Sequence, residues 1–458
     1  MSEIYDNFNK IIKKYPKKKI IYNLNKTYTG KDCEDLLEKA KQFIKLNNIK
    51  TIGIKSPNNL DWIILYLASD KLCNRIYILK NNFNSKIVNK LKNKYKIDYI
   101  AKNIPKKIRK FKKNNLIRKK SSKREDVLFT SGTTDLPKGV VINKESFLHI
   151  VKILTKKFNQ NKNDLELLSM PFDHSFGLVR LRCCLYKGSK MFVSNGLVNF
   201  PDIYNFSQKN KITGLSLVPS GVFVIKNLLK NKAKEFNKNL KYFEIGSSGI
   251  NFETRMWLKK NFNKTNIIHH YGMTEASRSF LINRGFKDNL KISNDIIGNV
   301  IDGCKYKISN NFKGELLLKG KNLFDKYLDQ DNNKKIDNKW FKTGDIVEKK
   351  NGRLKLIGRI DNQINIGGNK VQSEFIENLI ESLTNVKKCL CFQVNDEIFN
   401  KRIALQIEKE TDIDKKEIII SIQKLLKDYP DYYQPKEIYF KKIKFTKNGK
   451  KIRSFKKK

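Results

Sequence analysis

The amino-acid sequence predicts an α/β fold. A large N-terminal domain, built of two α/β sheet subdomains plus a small β-barrel-like subdomain, precedes a small, mobile α+β C-terminal domain. Short apolar segments alternate with helical patterns between Thr51 and Lys102 and again between Leu165 and about His270, which indicates two parallel sheets. From Cys304 onward the pattern changes to short β segments, which predicts the barrel-like subdomain.

The first half of the N-terminal domain is expected to begin with a short helical or hairpin segment and an amphipathic helix from Cys33 to Leu46. Apolar segments of the first strand–helix block lie at residues 52–54, 62–67, 76–79, 87–91 and 99–100. The strand Val127-Leu-Phe129 then leads into a loop, and a helix comes next. One face of that helix carries Phe147, Ile150, Val151, Leu154 and Phe158.

The second block and the C-terminal section complete the predicted order of elements. Strands of the second block are predicted at residues 165–170, 190–193, 215–218 and 242–245, and the later β segments at 305–308, 315–318 and 353–357. The main boundary is placed before Arg359, which gives domains of residues 1–358 and 359–458. The second domain is expected to run helix, strand, strand, helix over residues 374–383, 388–394, 402–407 and 418–427.

The composition is that of a globular protein, because 31% of the 458 residues are charged and 39% are hydrophobic. No apolar run of about 18 residues occurs, so no transmembrane segment is expected. The N-terminus, Met1-Ser-Glu-Ile-Tyr-Asp6, has no apolar signal core. The seven cysteines form no CxxC pair and no zinc-type Cys/His set. We therefore expect a cytoplasmic protein whose cysteines are small core residues.

The formal net charge is +50, from 95 Lys and Arg against 45 Asp and Glu. Such a charge could indicate a nucleic acid or an anionic surface as a partner. The lysines are spread along the whole chain, however, which indicates a global compositional bias, and no specific nucleic-acid partner is expected. The densest basic run is Lys106 to Arg124, which contains no acid. A solvated loop explains this run, and binding of an acidic carrier protein is the alternative.

The stretch from Phe129 to Val140 is the strongest candidate for a ligand-binding loop. Hydroxyl side chains surround a glycine, and a lysine and a second glycine follow, in the order Thr130, Ser131, Gly132, Thr133, Thr134, Asp135, Leu136, Pro137, Lys138 and Gly139. Glycine lets the backbone approach a ligand closely. It is not the Walker loop, in which Ser or Thr follows Gly-Lys. Hydroxyls, exposed amides and the ammonium group suit a polyanion such as a triphosphate.

This string resembles the phosphate-binding loop of the AMP-forming adenylating enzymes. These are the acyl- and aryl-CoA synthetases, the carrier-protein-loading adenylation domains and the firefly-type luciferases. Asp135 stands where that family usually has glycine. Aspartate tolerates left-handed backbone, but a carboxylate about 4 Å from a phosphate oxygen costs roughly 4 kcal/mol at an effective dielectric near 20. Asp135 is therefore expected to face solvent or to be screened by the metal.

Two further segments resemble the nucleotide site of the same family. Tyr271-Gly-Met-Thr-Glu275, which includes Gly272, matches the YGxTE signature. The resemblance implies that Tyr271 stacks on adenine, that Thr274 contacts the α-phosphate and that Glu275 holds Mg²⁺. A glycine-rich string resembles the family's adenine loop, with a simple strand-end turn as the alternative; its residues are Gly246, Ser247, Ser248 and Gly249.

Residues near the domain boundary resemble the family's ribose site and hinge. The string from Trp340 to Asp345 matches the TGD motif, which implies that the Asp345 carboxylate accepts hydrogen bonds from the ribose hydroxyls. Arg359 would be its companion on the ribose or phosphate, and Asp361 falls at the hinge position. Gly367-Gly368 resembles the loop that faces the site in the second half-reaction, although the nearby Asn365 replaces a lysine that many relatives carry.

The C-terminal string Thr446-Lys-Asn-Gly-Lys-Lys-Ile-Arg453 matches the GKxxR ending of the family. The resemblance implies that Lys450 is the catalytic lysine. Lysines are abundant in this chain, and Lys451 is the neighbouring alternative. The position relative to Gly449 and Arg453 favours Lys450.

The acid-binding segment can be interpreted in two registers. Pro171-Phe-Asp-His-Ser-Phe-Gly177 resembles the PxFHxxG segment of acyl-CoA synthetases, which implies that His174 lies near the acyl carboxylate. The same residues contain Phe172-Asp-His-Ser175, which resembles the FDxS segment of amino-acid-activating relatives, where Asp173 could pair with an amine. The first register is favoured, and both remain open from the sequence.

The resemblance covers residues 20 to 453 and implies an ATP-dependent carboxylate ligase that uses Mg²⁺. Such an enzyme forms an acyl-AMP and passes the acyl group to coenzyme A, as an acyl-CoA synthetase does. The nearest alternative is an amino-acid or aryl-acid ligase that loads the phosphopantetheine of an acyl or peptidyl carrier protein. A luciferase-type monooxygenase is possible by fold alone. A basic nucleic-acid-binding protein would explain the charge but not the ordered motifs.

Overall fold

The computed structural model describes most of the chain: residues 3–107, 124–130, 136–247, 249–285, 287–329, 336–337, 340–366, 369–396, 400–410, 413–427, 429, 431–445 and 451–453. The chain divides into two compact units. One comprises Met1–Lys305 with Leu318–Phe341, and the other comprises Tyr306–Leu317 with Lys342–Lys458. The predicted domain boundary before Arg359 stays a prediction.

The α-helices are α1 (Glu3–Lys14), α2 (Gly30–Leu46), α3 (Leu60–Leu72), α4 (Ser85–Lys94), α5 (Lys144–Lys157), α6 (Ser175–Lys187), α7 (Phe200–Lys209), α8 (Pro219–Leu229), α9 (Ala233–Asn237), α10 (Phe252–Asn261), α11 (Ser373–Ile380) and α12 (Lys415–Leu426). Within the described ranges, none of these helices combines the length and the apolar character needed to cross a membrane.

The strands of the first half are β1 (Lys19–Tyr22), β2 (Thr27–Thr29), β3 (Thr51–Ile54), β4 (Arg75–Ile78), β5 (Tyr99–Ala101), β6 (Glu125–Thr130), β7 (Lys138–Asn143), β8 (Leu165–Leu168), β9 (Lys190–Val193), β10 (Gly214–Leu217), β11 (Tyr242–Gly246), β12 (Asn266–Met273) and β13 (Ala276–Asn283). The later strands are β14 (Asn299–Val300), β15 (Cys304–Ile308), β16 (Lys313–Gly320), β17 (Lys326–Tyr327), β18 (Ile336–Asp337), β19 (Trp340–Lys350), β20 (Arg353–Arg359), β21 (Gln363–Ile366), β22 (Asn369–Gln372), β23 (Val386–Asp396), β24 (Asn400–Lys409) and β25 (Glu437–Phe440).

The larger sheet of the first unit has nine strands in the order β14-β13-β12-β11-β10-β8-β9-β1-β2. The neighbours from β12 to β1 run parallel, so the carboxyl ends of six strands meet at one edge. Strand β8 is buried along its whole length, and the strands on either side of it are mostly apolar. Such buried, mostly apolar strands are typical of parallel sheets covered on both faces. Ligands of open α/β sheets bind outside the carboxyl ends of the strands.

A second sheet of the same unit has six strands in the order β17-β7-β6-β4-β3-β5. Strands β6, β4, β3 and β5 are parallel, and β7 and β17 are antiparallel additions at one side. The two sheets confirm the α/β fold that alternating apolar strands and helices predict.

Helix α5 follows β7 and illustrates how the local sequence sets an element. The side chain of Asn143 accepts a hydrogen bond from the backbone N–H of Ser146 at 2.8 Å, which caps the helix start. The predicted inner face of the helix is confirmed, because its buried residues include Phe147, Ile150, Val151 and Leu154.

One element of this region was missing from the sequence prediction, which passed from the loop after Phe129 directly to a helix. The structure places the six-residue strand β7 between them, paired antiparallel with β6. Its centre, Val140-Val-Ile142, is buried. The segment is short and directly follows a string rich in glycine and hydroxyl residues, so its apolar run is a weak local signal for a strand.

The second unit contains the predicted helix–strand–strand–helix section. Strands β23 and β24 are antiparallel, and β25, which the sequence did not predict, lies parallel to β24. Helices α11 and α12 cover this sheet through apolar side chains such as Ile376, Ile380 and Ile418. In the same unit β19 pairs antiparallel with β20, which aligns Asp345 with Arg359.

Candidate functional site

The two strands that flank the candidate phosphate loop are antiparallel neighbours. Strand β6 ends at Thr130 and β7 begins at Lys138, and these two residues are direct antiparallel partners. Both are half-buried, whereas Gly139 is buried. A Cβ atom at Gly139 would lie 2.6 Å from Cδ1 of Leu328, so a larger residue would displace that side chain. Five loop residues lie outside the described ranges: Ser131, Gly132, Thr133, Thr134 and Asp135.

Strand β17 lies directly beside β7 and so borders this pair of strands. Tyr327 pairs with Val140, and the backbone N–H of Leu328 donates to the carbonyl oxygen of Gly139 at 2.9 Å. The N–H of Asp325 donates to the carbonyl of Val141 at 2.8 Å. These bonds fix the Lys138–Gly139 side of the loop.

Thr274 and Glu275 form the two-residue turn between β12 and β13, which the pairing of Met273 with Ala276 closes. Oε1 of Glu275 accepts a hydrogen bond from the Tyr327 hydroxyl at 3.0 Å. The Glu275 carbonyl also accepts from the N–H of Phe324 at 2.8 Å. The structure therefore brings the Glu275 turn beside the strand that borders the candidate phosphate loop. Sequence reasoning missed Tyr327, and no local pattern marks it.

Tyr271 and Gly272 lie on β12 just before this turn. The Tyr271 ring is half-buried and packs edge-on against Phe280, with ring centroids 5.8 Å apart. The register between β12 and β13 shifts at Gly272. A Cβ atom at Gly272 would lie 2.4 Å from the backbone nitrogen of Arg278, so only glycine fits this close approach of two backbones.

The glycine-rich segment follows the carboxyl end of β11, next to β12. Gly246 pairs with His270, and a Cβ atom at Gly246 would lie 2.0 Å from Cε1 of that ring. Ser247 is exposed and has φ of +85°, the left-handed region that few residues other than glycine adopt. Gly249 has open space where a Cβ would be, and Ser248 lies outside the described residues.

Beneath this segment is a buried charged group that sequence reasoning did not identify. Glu244 on β11 lies 2.8 Å from Nδ1 of His270, 3.0 Å from Nε of Arg278 and 3.5 Å from Nη1 of Arg180. Burial alone would raise the pKa of Glu244, but Arg278 and His270 outweigh burial and hold that pKa far below its usual range. Burial lowers the pKa of His270, although Glu244 opposes this shift. A lone carboxylate within an apolar strand was the available signal.

His174 immediately precedes α6 and is half-buried. Its Nε2 atom lies 3.7 Å from Oδ1 of Asp173. Asp173 is buried, and its Oδ2 atom accepts a hydrogen bond from the backbone N–H of Asn81 at 2.7 Å. The two residues that the sequence offered as alternatives thus have different surroundings, with Asp173 held by the backbone and His174 more open to solvent.

In the second unit, Asp345 and Arg359 face each other across β19 and β20. Nη1 of Arg359 lies 2.6 Å from Oδ1 of Asp345, which is buried. Gly344 has φ of +76°, and a Cβ there would lie 2.9 Å from Nη2 of Arg359. Arg359 also contacts the exposed Asp361 at 3.3 Å. The structure therefore brings together the predicted ribose ligand, its companion and the hinge residue.

Within the C-terminal string, residues 446–450, which include Lys450, lie outside the described residues. The residues on either side of them are held by the following contacts. Phe445 and Lys451 form an antiparallel bridge. The Nζ atom of Lys451 lies 2.9 Å from Glu377 and 2.7 Å from Glu381, so this lysine is committed to an ion-pair cluster. Arg453 belongs to the same ion-pair cluster, because its Nη1 atom lies 2.6 Å from Glu377. Gly367, Gly368 and the side chain of Asn365 also lie outside the described residues.

Comparison with known proteins gives a consistent family. A model of the family described as AMP-binding enzyme matches residues 76–328. A D-alanine--D-alanyl carrier protein ligase of Bacillus licheniformis is 26% identical over 349 residues, which cover 71% of this chain and 68% of that protein. The acyl-CoA synthetase ALT10 of Alternaria alternata is 24% identical over 371 residues, which cover 72% of this chain and 64% of the other.

Several similar proteins are much longer than this chain. Bacitracin synthase 2 of Bacillus licheniformis is 26% identical over 355 residues, or 71% of this chain, but the match covers only 13% of that synthase. The matches to bacitracin synthase 3 and to surfactin synthase subunit 2 cover 5% and 10% of those proteins.

Solved structures show the same fold. The o-succinylbenzoate CoA synthetase of Bacillus subtilis, in complex with its acyl-adenylate intermediate, matches with a TM-score of 0.82 at 15% identity, over 98% of this chain and 97% of that one. ATP-bound MatB from Rhodopseudomonas palustris matches with a TM-score of 0.81 at 15% identity, over the same shares of the two chains.

Proposed function

The chain belongs to the AMP-binding enzyme family, and from this premise we propose that it is an ATP-dependent carboxylate ligase that forms an acyl-AMP and transfers the acyl group to coenzyme A. The observation that carries this proposal is the position of Glu275. Its hydrogen bond to Tyr327 sets the proposed metal ligand beside the strand that borders the proposed phosphate loop. Residues far apart in the sequence thus converge as a nucleotide site requires.

In the first half-reaction, a carboxylate oxygen attacks the α-phosphorus of ATP and pyrophosphate leaves. We assign Thr130, Lys138 and the loop residues between them to the phosphates, Thr274 to the α-phosphate and Tyr271 to the adenine. These groups act by holding the two reactants in line and by placing donors where negative charge develops. Gly139 and Gly272 leave room for neighbouring atoms, because a Cβ at Gly139 would collide with the Leu328 side chain and a Cβ at Gly272 would collide with the backbone of Arg278.

The residues present fit a magnesium ion that ATP brings with it. Mg²⁺ is usually bound through one or two carboxylates together with substrate phosphates and water. Glu275 supplies one carboxylate, and the described residues contain no cluster of three or more acidic, histidine or cysteine ligands that would form a complete protein cage. When bound, the ion would neutralise phosphate charge. Glu275 would hold it, and Tyr327 would orient the carboxylate.

In the second half-reaction, a thiol attacks the acyl carbonyl and AMP leaves. We assign Asp345 to the ribose hydroxyls, with Arg359 holding the carboxylate in place at 2.6 Å.

Lys450 is assigned to the first half-reaction as the cation that bridges the carboxylate and phosphate oxygens. Asp361 is assigned to the hinge about which the C-terminal domain would turn between the two steps.

The acid-binding segment can hold its substrate in two registers. Oδ2 of Asp173 accepts the Asn81 amide at 2.7 Å, whereas its buried Oδ1 atom has no hydrogen-bond partner among the described residues. The neighbouring His174 is half-buried. On the PxFHxxG register we assign His174 to the acid carboxylate; on the FDxS register Oδ1 of Asp173 would receive a substrate amine. Carrier-protein loading is the second candidate, because a carrier-protein ligase is among the most similar proteins.

Pyrophosphate exchange across a panel of fatty, aryl, dicarboxylic and amino acids tests the proposal. We expect ATP-dependent exchange with at least one acid that lacks an amine, and loss of that exchange in Glu275→Gln. The acid with the fastest exchange is then supplied with coenzyme A or with a phosphopantetheinylated carrier protein, and the thioester product is identified by mass spectrometry. Absence of exchange with every acid contradicts the ligase assignment. Transfer only to the carrier protein selects the second candidate.

The cysteines support a reducing, cytoplasmic location. All seven are free, and six are buried. Burial raises the pKa of Cys33, Cys73 and Cys183 to about 12 in each case, so their thiols stay protonated and unreactive. These residues act as small apolar groups in the core.

A further inference from the structure

Arg278 on β13 is a buried cation that no motif of the sequence includes. It lies three residues after Glu275, its side chain is almost fully buried, and its backbone φ is +51°. Left-handed backbone is rare for a residue with a long side chain and is held only when the surroundings enforce it. The residue therefore occupies a conformation that its contacts, and not its own preference, determine.

The guanidinium of Arg278 joins two separate elements to β13. Its Nε atom donates to Oε1 of Glu244 on β11 at 3.0 Å. Its Nη1 atom donates to the carbonyl oxygen of Ser175 at 3.0 Å, and its Nη2 atom donates to that of Phe176 at 2.9 Å, both in the first turn of α6. Arginine can do this because its donors form a planar, rigid fork.

Each attachment point lies next to a residue that the proposed function assigns to a substrate. Ser175 directly follows His174, which is assigned to the acid. Glu244 precedes Gly246, the start of the adenine segment, by two residues. The backbone nitrogen of Arg278 itself approaches Gly272, the neighbour of Tyr271, so closely that a Cβ at Gly272 would lie 2.4 Å away.

We propose that Arg278 is a positioning residue that sets the acid-binding and adenine-binding segments at a fixed separation, so that one side chain governs the affinity for both substrates. This inference rests on the proposed ligase function. Attack on the α-phosphate requires the acid and the nucleotide to be held in one geometry, and a displacement of about 1 Å can slow such a reaction roughly 10²-fold. A single buried fork that holds both segments meets that requirement.

The chain offers a matched control in Arg255. This arginine is also buried, and it binds Asp288 through Nε at 2.7 Å and Nη2 at 2.8 Å. It also donates to the backbone carbonyls of Ile292 and Asn289. These partners lie outside the segments assigned to the substrates. A purely structural role would therefore give Arg255 and Arg278 the same mutational signature.

The test compares Arg278→Lys with Arg255→Lys in steady-state pyrophosphate exchange, using ATP and the acid that the wild-type protein exchanges fastest. Lysine keeps the positive charge against the buried carboxylate but cannot span three acceptors. We expect Arg278→Lys to remain folded, to raise KM about tenfold for ATP and for the acid alike, and to lower kcat roughly 10²-fold. Arg255→Lys should change melting temperature without changing either KM.

A second variant tests the contact of Arg278 with Glu244 separately from its contacts with α6. Glu244→Gln removes the charge of the partner on β11 but leaves the bonds from Arg278 to the α6 carbonyls. We expect the KM for ATP to rise while the KM for the acid stays within about twofold of wild type, and this variant keeps the test available if Arg278→Lys does not fold. The proposal is overturned by an unchanged KM for ATP in Glu244→Gln, by a rise in only one KM in Arg278→Lys, or by equal kinetics of the two lysine variants. An inactive wild-type protein would instead contradict the proposed function.

Discussion

The hydroxyl of Tyr327 donates a hydrogen bond to Oε1 of Glu275 over 3.0 Å, although the two residues are separated by 52 positions in the chain. Tyr327 belongs to β17, which pairs with β7, and β7 starts at Lys138 on the far side of the candidate phosphate loop. A hydrogen bond to one carboxylate oxygen restricts the orientation of the other. Tyr327 is therefore placed to aim the carboxylate that we assign to Mg²⁺.

Replacing Tyr327 with phenylalanine removes this bond and keeps the aromatic ring, which packs edge-on against Phe324. A hydrogen bond to a charged group contributes about 1.5–3 kcal/mol, so Tyr327→Phe should raise the Mg²⁺ concentration for half-maximal pyrophosphate exchange by roughly tenfold or more. Glu275→Gln should have a larger effect, because it replaces a charged oxygen ligand of a hard cation with a neutral one. The measurement is a Mg²⁺ titration at saturating ATP.

Tyr95→Phe is the matched control, because Tyr95 donates to the carboxylate of Asp329 at 3.1 Å and no substrate role is assigned to either residue. Its Mg²⁺ dependence should equal that of the wild type. The same Mg²⁺ dependence in Tyr327→Phe, Glu275→Gln and the wild type would remove both residues from the metal site.

Gly246 should tolerate no side chain, whereas Gly249 in the same segment should. A Cβ at Gly246 would lie 2.0 Å from Cε1 of His270, and that ring is itself packed between Glu244 and Phe176. Gly246→Ala should therefore lower stability by about 1–3 kcal/mol and raise the KM for ATP. Gly249→Ala should leave stability near that of the wild type, since nothing lies within 4 Å of the added atom. Thermal melting and ATP titrations of the two variants check this, and equal melting temperatures would contradict the packing described.

Sequence reasoning reached the parallel strands because their apolar runs are local signals. Leu165–Leu168 is buried at every position, and so is Tyr242–Gly246. The sequence alone does not predict contacts between residues that are far apart in the chain. Arg278 and Glu244 are 34 residues apart, and Tyr327 lies in a segment with no pattern of its own. In the sequence, a buried polar residue is visible only as a polar exception within an apolar strand. Which residues it contacts depends on the tertiary fold.

The candidate site likewise has features that local patterns predict and features that depend on the tertiary fold. The sequence identified candidate site residues through short motifs that resemble those of the family, and at Gly272 and Gly344 the structure shows a close backbone approach and a positive φ, respectively, which favour glycine. The surroundings of Asp173 and His174 could not be predicted locally. They include the backbone amide of Asn81, which lies 92 positions away and approaches Asp173 only in the folded chain.

His270 should make stability depend on pH. Burial holds the pKa of His270 below its ordinary value, so the unfolded chain takes up a proton more readily than the folded one. Its contribution is complete above the unfolded pKa of about 6.5 and is lost as pH falls from there toward the folded pKa. The free energy of unfolding should decrease in that window, by at most about 1.4 kcal/mol per pH unit for this one group. The contribution of Glu244 has the same sign but falls in a lower range of pH: its lowered pKa leaves that contribution intact until pH falls below about 4.3.

Urea denaturation of wild type and of His270→Gln between pH 7.5 and pH 5 measures this effect as a difference. The variant should show a shallower loss of stability over that range. Parallel pH profiles for His270→Gln and wild type would show that His270 titrates alike in the folded and unfolded states.

Lys450 and Lys451 are neighbours in the chain, but we predict different consequences for their loss. Lys451 is held by Glu377 and Glu381 at 2.9 and 2.7 Å, so Lys451→Ala should destabilise the protein by about 1.5–3 kcal/mol, because the buried Glu377 and the half-buried Glu381 each lose a charged donor while Glu377 keeps Arg453 as a partner. Lys450 is assigned to the chemistry by its place in the GKxxR string. Losing a preorganised donor where charge concentrates should slow acyl-AMP formation roughly 10²–10³-fold in Lys450→Ala. Single-turnover kinetics of each half-reaction, together with thermal melting, measure both effects.

The decisive comparison is between the two half-reactions of Lys450→Ala. If the C-terminal domain turns about Asp361 after adenylation, the lysine leaves the reacting atoms, and transfer from supplied acyl-AMP to the thiol should proceed at nearly the wild-type rate. Lys442→Ala removes an exposed lysine of the same region and should match the wild type in both steps and in melting temperature. Equal slowing of both half-reactions in Lys450→Ala would contradict the rotation. A normal adenylation rate in Lys450→Ala with a large loss in folded Lys451→Ala would move the catalytic assignment to Lys451, and the ion pairs with Glu377 and Glu381 would then have to break during the reaction.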